Sequence, residues 1–83
     1  MSKVLFDVLL PATGRHYDFW VPEDMPLGEI GGLVADAMQV AEPSFYSYSD
    51  NALLMHVATG RIVNARLTAE EQGFFDGERF VLL

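Results

Sequence analysis

An α+β fold, in which a mixed sheet of four to five strands wraps one central helix, is the class this sequence predicts, and a few observations carry the prediction. Only one window, Pro26–Val40 (PLGEIGGLVADAMQV), is long and periodic enough for a real helix. On either side of it apolar and polar residues alternate, as they do in half-buried strands. A hairpin precedes the helix and further strands follow, and a strand that rejoins the sheet through a helical crossover can run parallel to the first. The expected order is β–β–α–β–β–short helix–β, in one domain over residues 1–83.

The helix comes first because everything else packs on it. Leu27, Ile30, Val34, Ala37 and Met38 form an apolar stripe, and Glu29, Gly32, Asp36 and Gln39 gather opposite. Pro26 suits the first helical position, with Met25 as a poor N-cap behind Asp24, and Pro43 closes the far end. Gly28, Gly31 and Gly32 each cost about 1 kcal/mol relative to alanine. The helix must therefore be held by packing rather than by propensity.

From Lys3 to Leu10 the chain sets Val4, Phe6, Val8 and Leu10 on one face and Leu5, Asp7 and Leu9 on the other. Pro11–Gly14 turns it, and Arg15–Val21 alternates again, with Tyr17, Phe19 and Val21 inward and His16, Asp18 and Trp20 outward. One register opposes Asp7 to Asp18. Like-charge repulsion favours a slip of two residues instead, and both registers stay open. Ser44–Asn51 reads as a loop with Phe45 tucked under the sheet, Leu53–Ala58 as a third strand, and Arg61–Asn64 as a short fourth. Thr68 with Glu71 is a capping-box signature for one helical turn, and Asp76–Gly77 turns the chain into a last strand, Glu78–Leu83, with Phe80 and Leu82 inward.

Composition removes several function classes. A net charge of −7 and a pI near 4.4 repel phosphate backbones, and Lys3, Arg15, Arg61, Arg66 and Arg79 are too scattered to make a basic patch. Nucleic acid and direct membrane insertion are excluded as expectations. The absence of cysteine rules out disulfides, a thiol nucleophile, iron–sulfur clusters and cysteine zinc sites, and fits a reducing cytoplasm. The VLFDVLL stretch is interrupted by Asp7 and ended by Pro11, so it reads as a strand and not a signal peptide.

Candidate chemistry is sparse. His16 and His56 have no serine or aspartate at a spacing that suggests a triad. Glu23–Asp24 and Glu70–Glu71 flank helix starts, where carboxylates complement the dipole. Asp7 and Asp18 lack the further oxygen ligands a cation requires, and GEIGG lies inside a helix rather than cradling a phosphate. No enzyme activity, cofactor or metal is expected. What the alternation does provide is an outward apolar patch of Leu5, Leu9, Trp20, Leu54, Val81 and Leu83, edged by Asp7, Asp18, His16 and His56, which reads as a protein-partner site or a homodimer contact. The glycine face of the helix, Gly28 and Gly32, is a second candidate for close approach by a partner.

The C-terminal third, GRIVNARLTAEEQGFFDGERFVLL, resembles the ubiquitin-like β-grasp proteins: a short strand, a leucine, a Thr-capped turn, a Gly-hydrophobic step, a DG turn and a final strand. Leu67, Phe74, Phe80 and Leu82 stand at the recurring core positions. Within that superfamily the compact length and the short link from Val63 to Leu67 are most similar to the bacterial EsaB/YukD family of type VII secretion. The resemblance implies a cytoplasmic, non-enzymatic accessory or regulatory module that docks on membrane-anchored machinery, either its pseudokinase-like subunit or its FtsK-like ATPase. Ubiquitin-like modifiers and sulfur carriers end in a flexible Gly-Gly tail, whereas this sequence ends in FVLL and holds a single lysine, Lys3. A carrier or modifier, or an adaptor unrelated to secretion, is the alternative.

Overall fold

The computed structural model describes residues 2–44 and 52–83. Its elements are β1 (Lys3–Leu10), β2 (Arg15–Pro22), α1 (Leu27–Ala41), β3 (Leu54–His56), β4 (Arg61–Ile62), α2 (Ala69–Gln72) and β5 (Glu78–Leu82). The sheet order is β2-β1-β5-β3-β4, with β1 and β5 parallel and every other pair antiparallel. This is the expected mixed sheet on one helix. The loop expected at Ser44–Asn51, from Phe45 onward, lies outside the described residues.

The inner face follows the alternation of the long strands. Val4, Phe6, Val8 and Leu10 are buried from β1, and Phe80 and Leu82 from β5. The Phe6 and Phe80 rings lie 4.2 Å apart, with Phe74 edge-on to Phe6 at 6.1 Å, so aromatic packing anchors the neighbouring strands β1 and β5 to each other. Tyr17 and Phe19 from the edge strand β2 are only partly buried against this cluster.

Helix α1 buries Leu27, Ile30, Gly31, Val34, Ala35 and Met38. Ala37, expected in the stripe, is exposed. The helix turns its small residues Gly31 and Ala35 inward, and a Cβ on Gly31 would make ordinary contact there, 3.7 Å from the Ala52 carbonyl and 4.0 Å from Leu54 Cγ. Pro26 is the N-cap, one residue later than Met25, and no side chain caps the helix. Its first amides are satisfied by backbone far along the chain instead, Leu27 N–H donating to the Leu67 carbonyl (2.8 Å) and Gly28 N–H to that of Ala65 (3.0 Å).

The hairpin register is the one that opposes Asp7 to Asp18, not the slip of two. The turn decides it: Thr13 and Gly14 both donate to the Leu10 carbonyl, and Gly14 takes φ 70°, which closes the hairpin at Leu10↔Arg15. The opposed charges are tolerated because His16 Nδ1 donates to Asp7 at 2.8 Å and Arg79 lies 3.9 Å from the same carboxylate. The shorter strands end earlier than expected, β3 at His56 and β4 at Ile62, although Leu53 and Leu83 still exchange both backbone hydrogen bonds beyond the strand ends. At α2 the expected capping box is present, with Thr68 Oγ1 accepting from Glu71 N–H and Glu71 accepting from Thr68 N–H. No helix among the described residues is long and apolar enough to cross a membrane.

Candidate interaction surface

Cross-strand pairing places the outer-face residues in rows. One row crosses the whole sheet: His16 faces Leu9, Leu9 faces Val81, Val81 faces Met55, and Met55 faces Ile62. Beyond it, Leu53 stands opposite Leu83, both about half exposed. Leu9, Val81, Met55, Ile62, Leu53 and Leu83 therefore make one apolar strip over the four strands β1, β5, β3 and β4. The next row is polar, with Asp18 facing Asp7 and Asp7 facing Arg79.

Trp20 and Leu5 lie on the far side of that charged row. They pair with each other, and Leu5 is about 13 Å along β1 from Leu9 at the usual strand rise. Trp20 is 60% exposed, so its outward placement agrees with the sequence. It does not sit among Leu54 and Leu83, because the expected single patch is divided by the Asp18–Asp7–Arg79 row into a tryptophan corner and an aliphatic strip.

Two of the expected patch residues face the other way. Leu54 is 1% exposed and His56 9%, since β3 pairs Leu54 with Leu82 and His56 with Phe80, the inward residues of β5. The stretch Leu53–Val57 (LLMHV) is apolar at both parities, so its own pattern leaves the face undecided. A histidine is admitted to the inner face because its partners are built in. Its Nε2 lies 2.6 Å from Glu78 Oε2 and its Nδ1 3.1 Å from Thr59 Oγ1, while the ring stacks on Phe74 at 4.7 Å. This chain of hydrogen bonds ties β3, the turn after it and β5 together, and it borders an open cavity of about 430 Å³ also lined by Arg61, Asn64 and Gln72.

Met55, Ile62 and Leu53 were missed by the sequence reading, and the signal for them was the partner strand. Once Phe80 and Leu82 are inward, Val81 and whatever faces it must be outward. The glycine face is also divided. On its Cβ side Gly28 is packed against its own chain, where a Cβ would come within 2.9 Å of Ala65 Cβ, whereas nothing lies within 4 Å of a Cβ on Gly32. No group of three or more acidic or histidine side chains among the described residues could hold a metal ion.

No family model matches this chain, and no curated protein does. Solved structures match over its full length. The ubiquitin-like domain of the Mycobacterium tuberculosis type VII secretion protein EccD1 superposes with a TM-score of 0.76 at 11% identity, covering 100% of this chain and 99% of that one. A chain of the MycP5-free ESX-5 inner membrane complex gives 0.82 at 15% identity, covering 100% of this chain and 21% of that one. Ubiquitin of Caldiarchaeum subterraneum gives 0.72 at 23% identity, covering 98% and 91%. At such identities the likeness is one of fold, and that fold is the ubiquitin-like β-grasp.

Proposed function

We propose that this chain is a non-enzymatic ubiquitin-like interaction module of a type VII secretion system, a single domain over residues 1–83 that works in the cytoplasm as an accessory or regulatory component in the manner of the EsaB/YukD family. The observation that carries the reading is the aliphatic strip Leu9–Val81–Met55–Ile62, extended by Leu53 and Leu83, on a fold shared with the EccD1 ubiquitin-like domain along its whole length. A continuous apolar surface on so small a domain is the usual mark of a protein partner. By the resemblance, that partner is membrane-anchored secretion machinery, its pseudokinase-like subunit or its FtsK-like ATPase. Trp20 and Leu5 form a separate anchor point for the same or another chain.

The test is site-specific photo-crosslinking in the host cytoplasm. A crosslinker at Ile62 or Leu83 should capture the secretion ATPase or the pseudokinase-like subunit, and one at Trp20 reports on the separate corner. Capture of an adenylating enzyme would overturn the reading in favour of a carrier or modifier. A Met55→Asp variant that keeps its melting temperature yet still captures the same partner would remove the strip as the recognition surface.

A further inference from the structure

The flank of α1 turned away from Gly31 is a second apolar surface, independent of the sheet face. Because each helical residue advances by about 100°, Leu33 lies some 160° around from Gly31, whose backbone is seated near Ala52 and Leu54. Leu33 is 54% exposed and Val40 83%, and with the exposed Ala37 between them they form a ridge at i, i+4 and i+7. Beside the ridge runs a shallow groove of about 400 Å³ with Met25, Gly32 and Leu33 as its apolar lining and Glu29 and Asp36 on its rim. The open space over Gly32 lets another backbone come close.

Charge selects the occupant. The helix carries Glu29 and Asp36 and no basic residue, and the turn before it adds Glu23 and Asp24. Neither Glu29 nor Asp36 enters an ion pair among the described residues, so both carboxylates are available to an incoming cation. A second copy of this chain meeting the flank about a twofold axis would set these acids against their own counterparts. An anionic lipid or nucleic-acid surface is repelled for the same reason.

We propose that this flank docks a cationic amphipathic helix of a protein partner, one aliphatic side chain entering the groove between Met25 and Leu33 and lysine or arginine side chains lying over Glu29 and Asp36. With the aliphatic strip on the outer sheet face, the domain then holds two chains on opposite sides and acts as a bridge.

The probe is a synthetic helical peptide with leucines at i, i+3, i+4 and i+7 and flanking lysines, set against the same peptide with glutamates in place of the lysines. In amide-shift titrations the lysine peptide should perturb Gly32, Leu33, Asp36 and Val40 and spare Met55 and Val81. Leu33→Ser and Asp36→Lys should each weaken it about tenfold or more, and Asp36→Lys should gain affinity for the glutamate peptide. Asp36 is on the surface, so that variant tests the charge even if Leu33→Ser perturbs the fold. Equal affinity for the two peptides, shifts confined to the sheet face, or no saturable binding would overturn the proposal. Self-association in sedimentation that Leu33→Ser abolishes would give the flank to a second copy and overturn it equally. None of these outcomes depends on the secretion reading.

Discussion

The hairpin β1–β2 and the arm β3–β4 are both antiparallel pairs of one sheet, yet they are held in different ways. In the hairpin, eight residues of each strand pair in unbroken register, and the alternation itself assigns the faces. In the arm, three residues meet two, and the faces are imposed from outside by β5 and by the links from His56 to Glu78 and Thr59. A long strand carries its own instructions. A short one borrows them from its neighbour, and it is most dependent where its own pattern is ambiguous.

The strongest way to break this contrast is to exchange the faces of β3. Leu54→Ala should cost about 2–5 kcal/mol, the range for emptying a buried leucine site, and Met55→Ala on the outer face under about 1 kcal/mol. Denaturant melts read both, and the reverse order would put Leu54 back on the surface. Next is the polar lock. His56→Leu keeps the ring's apolar contacts in part but leaves Glu78 and Thr59 without their partner, for an expected loss of about 1–3 kcal/mol. Hydrogen exchange should quicken at Met55 and Val57 while the β1–β2 amides keep their protection; uniform quickening would mean that the arm is not a separately held unit.

In the hairpin the sensitive feature is charge rather than packing. Asp18→Lys turns an opposed acid pair into an attractive one and should stabilise by about 0.2–1 kcal/mol, an effect that fades at high salt. If the variant is less stable at low salt, then His16 and Arg79 already compensate Asp7 in full. The smallest effect lies where β2 meets the end of α1. Tyr17 donates to Glu42 at 2.5 Å, and that hydrogen bond, aided by burial, raises the phenol above its ordinary value. The folded state thus favours the neutral phenol, so this contribution is whole below the ordinary tyrosine value and is lost as pH rises through the raised one. Melts of the wild type and Tyr17→Phe should differ slightly at neutral pH and converge in strong alkali, and a gap that persists there would assign the difference to packing.

The same contrast explains what could be read from the residues. The one long helix, the faces of β1 and β2, the inward pair Phe80 and Leu82 and the Thr68–Glu71 cap were all legible, because each is a local pattern with a single low-energy reading. The hairpin register was not, because like-charge repulsion between exposed acids is weaker than the demand of the turn at Gly14. Ala37 lies outside the core for a related reason: an apolar stripe fixes a helix face only to within a residue, and the helix is rotated so that Gly31 and Ala35 are buried in its place. Of the candidate site, the outward positions of Leu5, Leu9, Trp20, Val81 and Leu83 were readable, whereas the exchange of Leu54 for Met55 required knowing which strand lay alongside.

The parallel pairing of β1 with β5 also bears on how the chain is made. These two neighbouring strands are far apart in the sequence, and the first turn of α1 waits for carbonyls at Ala65 and Leu67. A chain emerging from the ribosome can close its hairpin early but keeps Phe6 and Val8 without their cover until Phe80 arrives. Folding is then a late and concerted event rather than a stepwise one, and a nascent chain halted after Asn64 should be sensitive to protease along its whole length, the helix included.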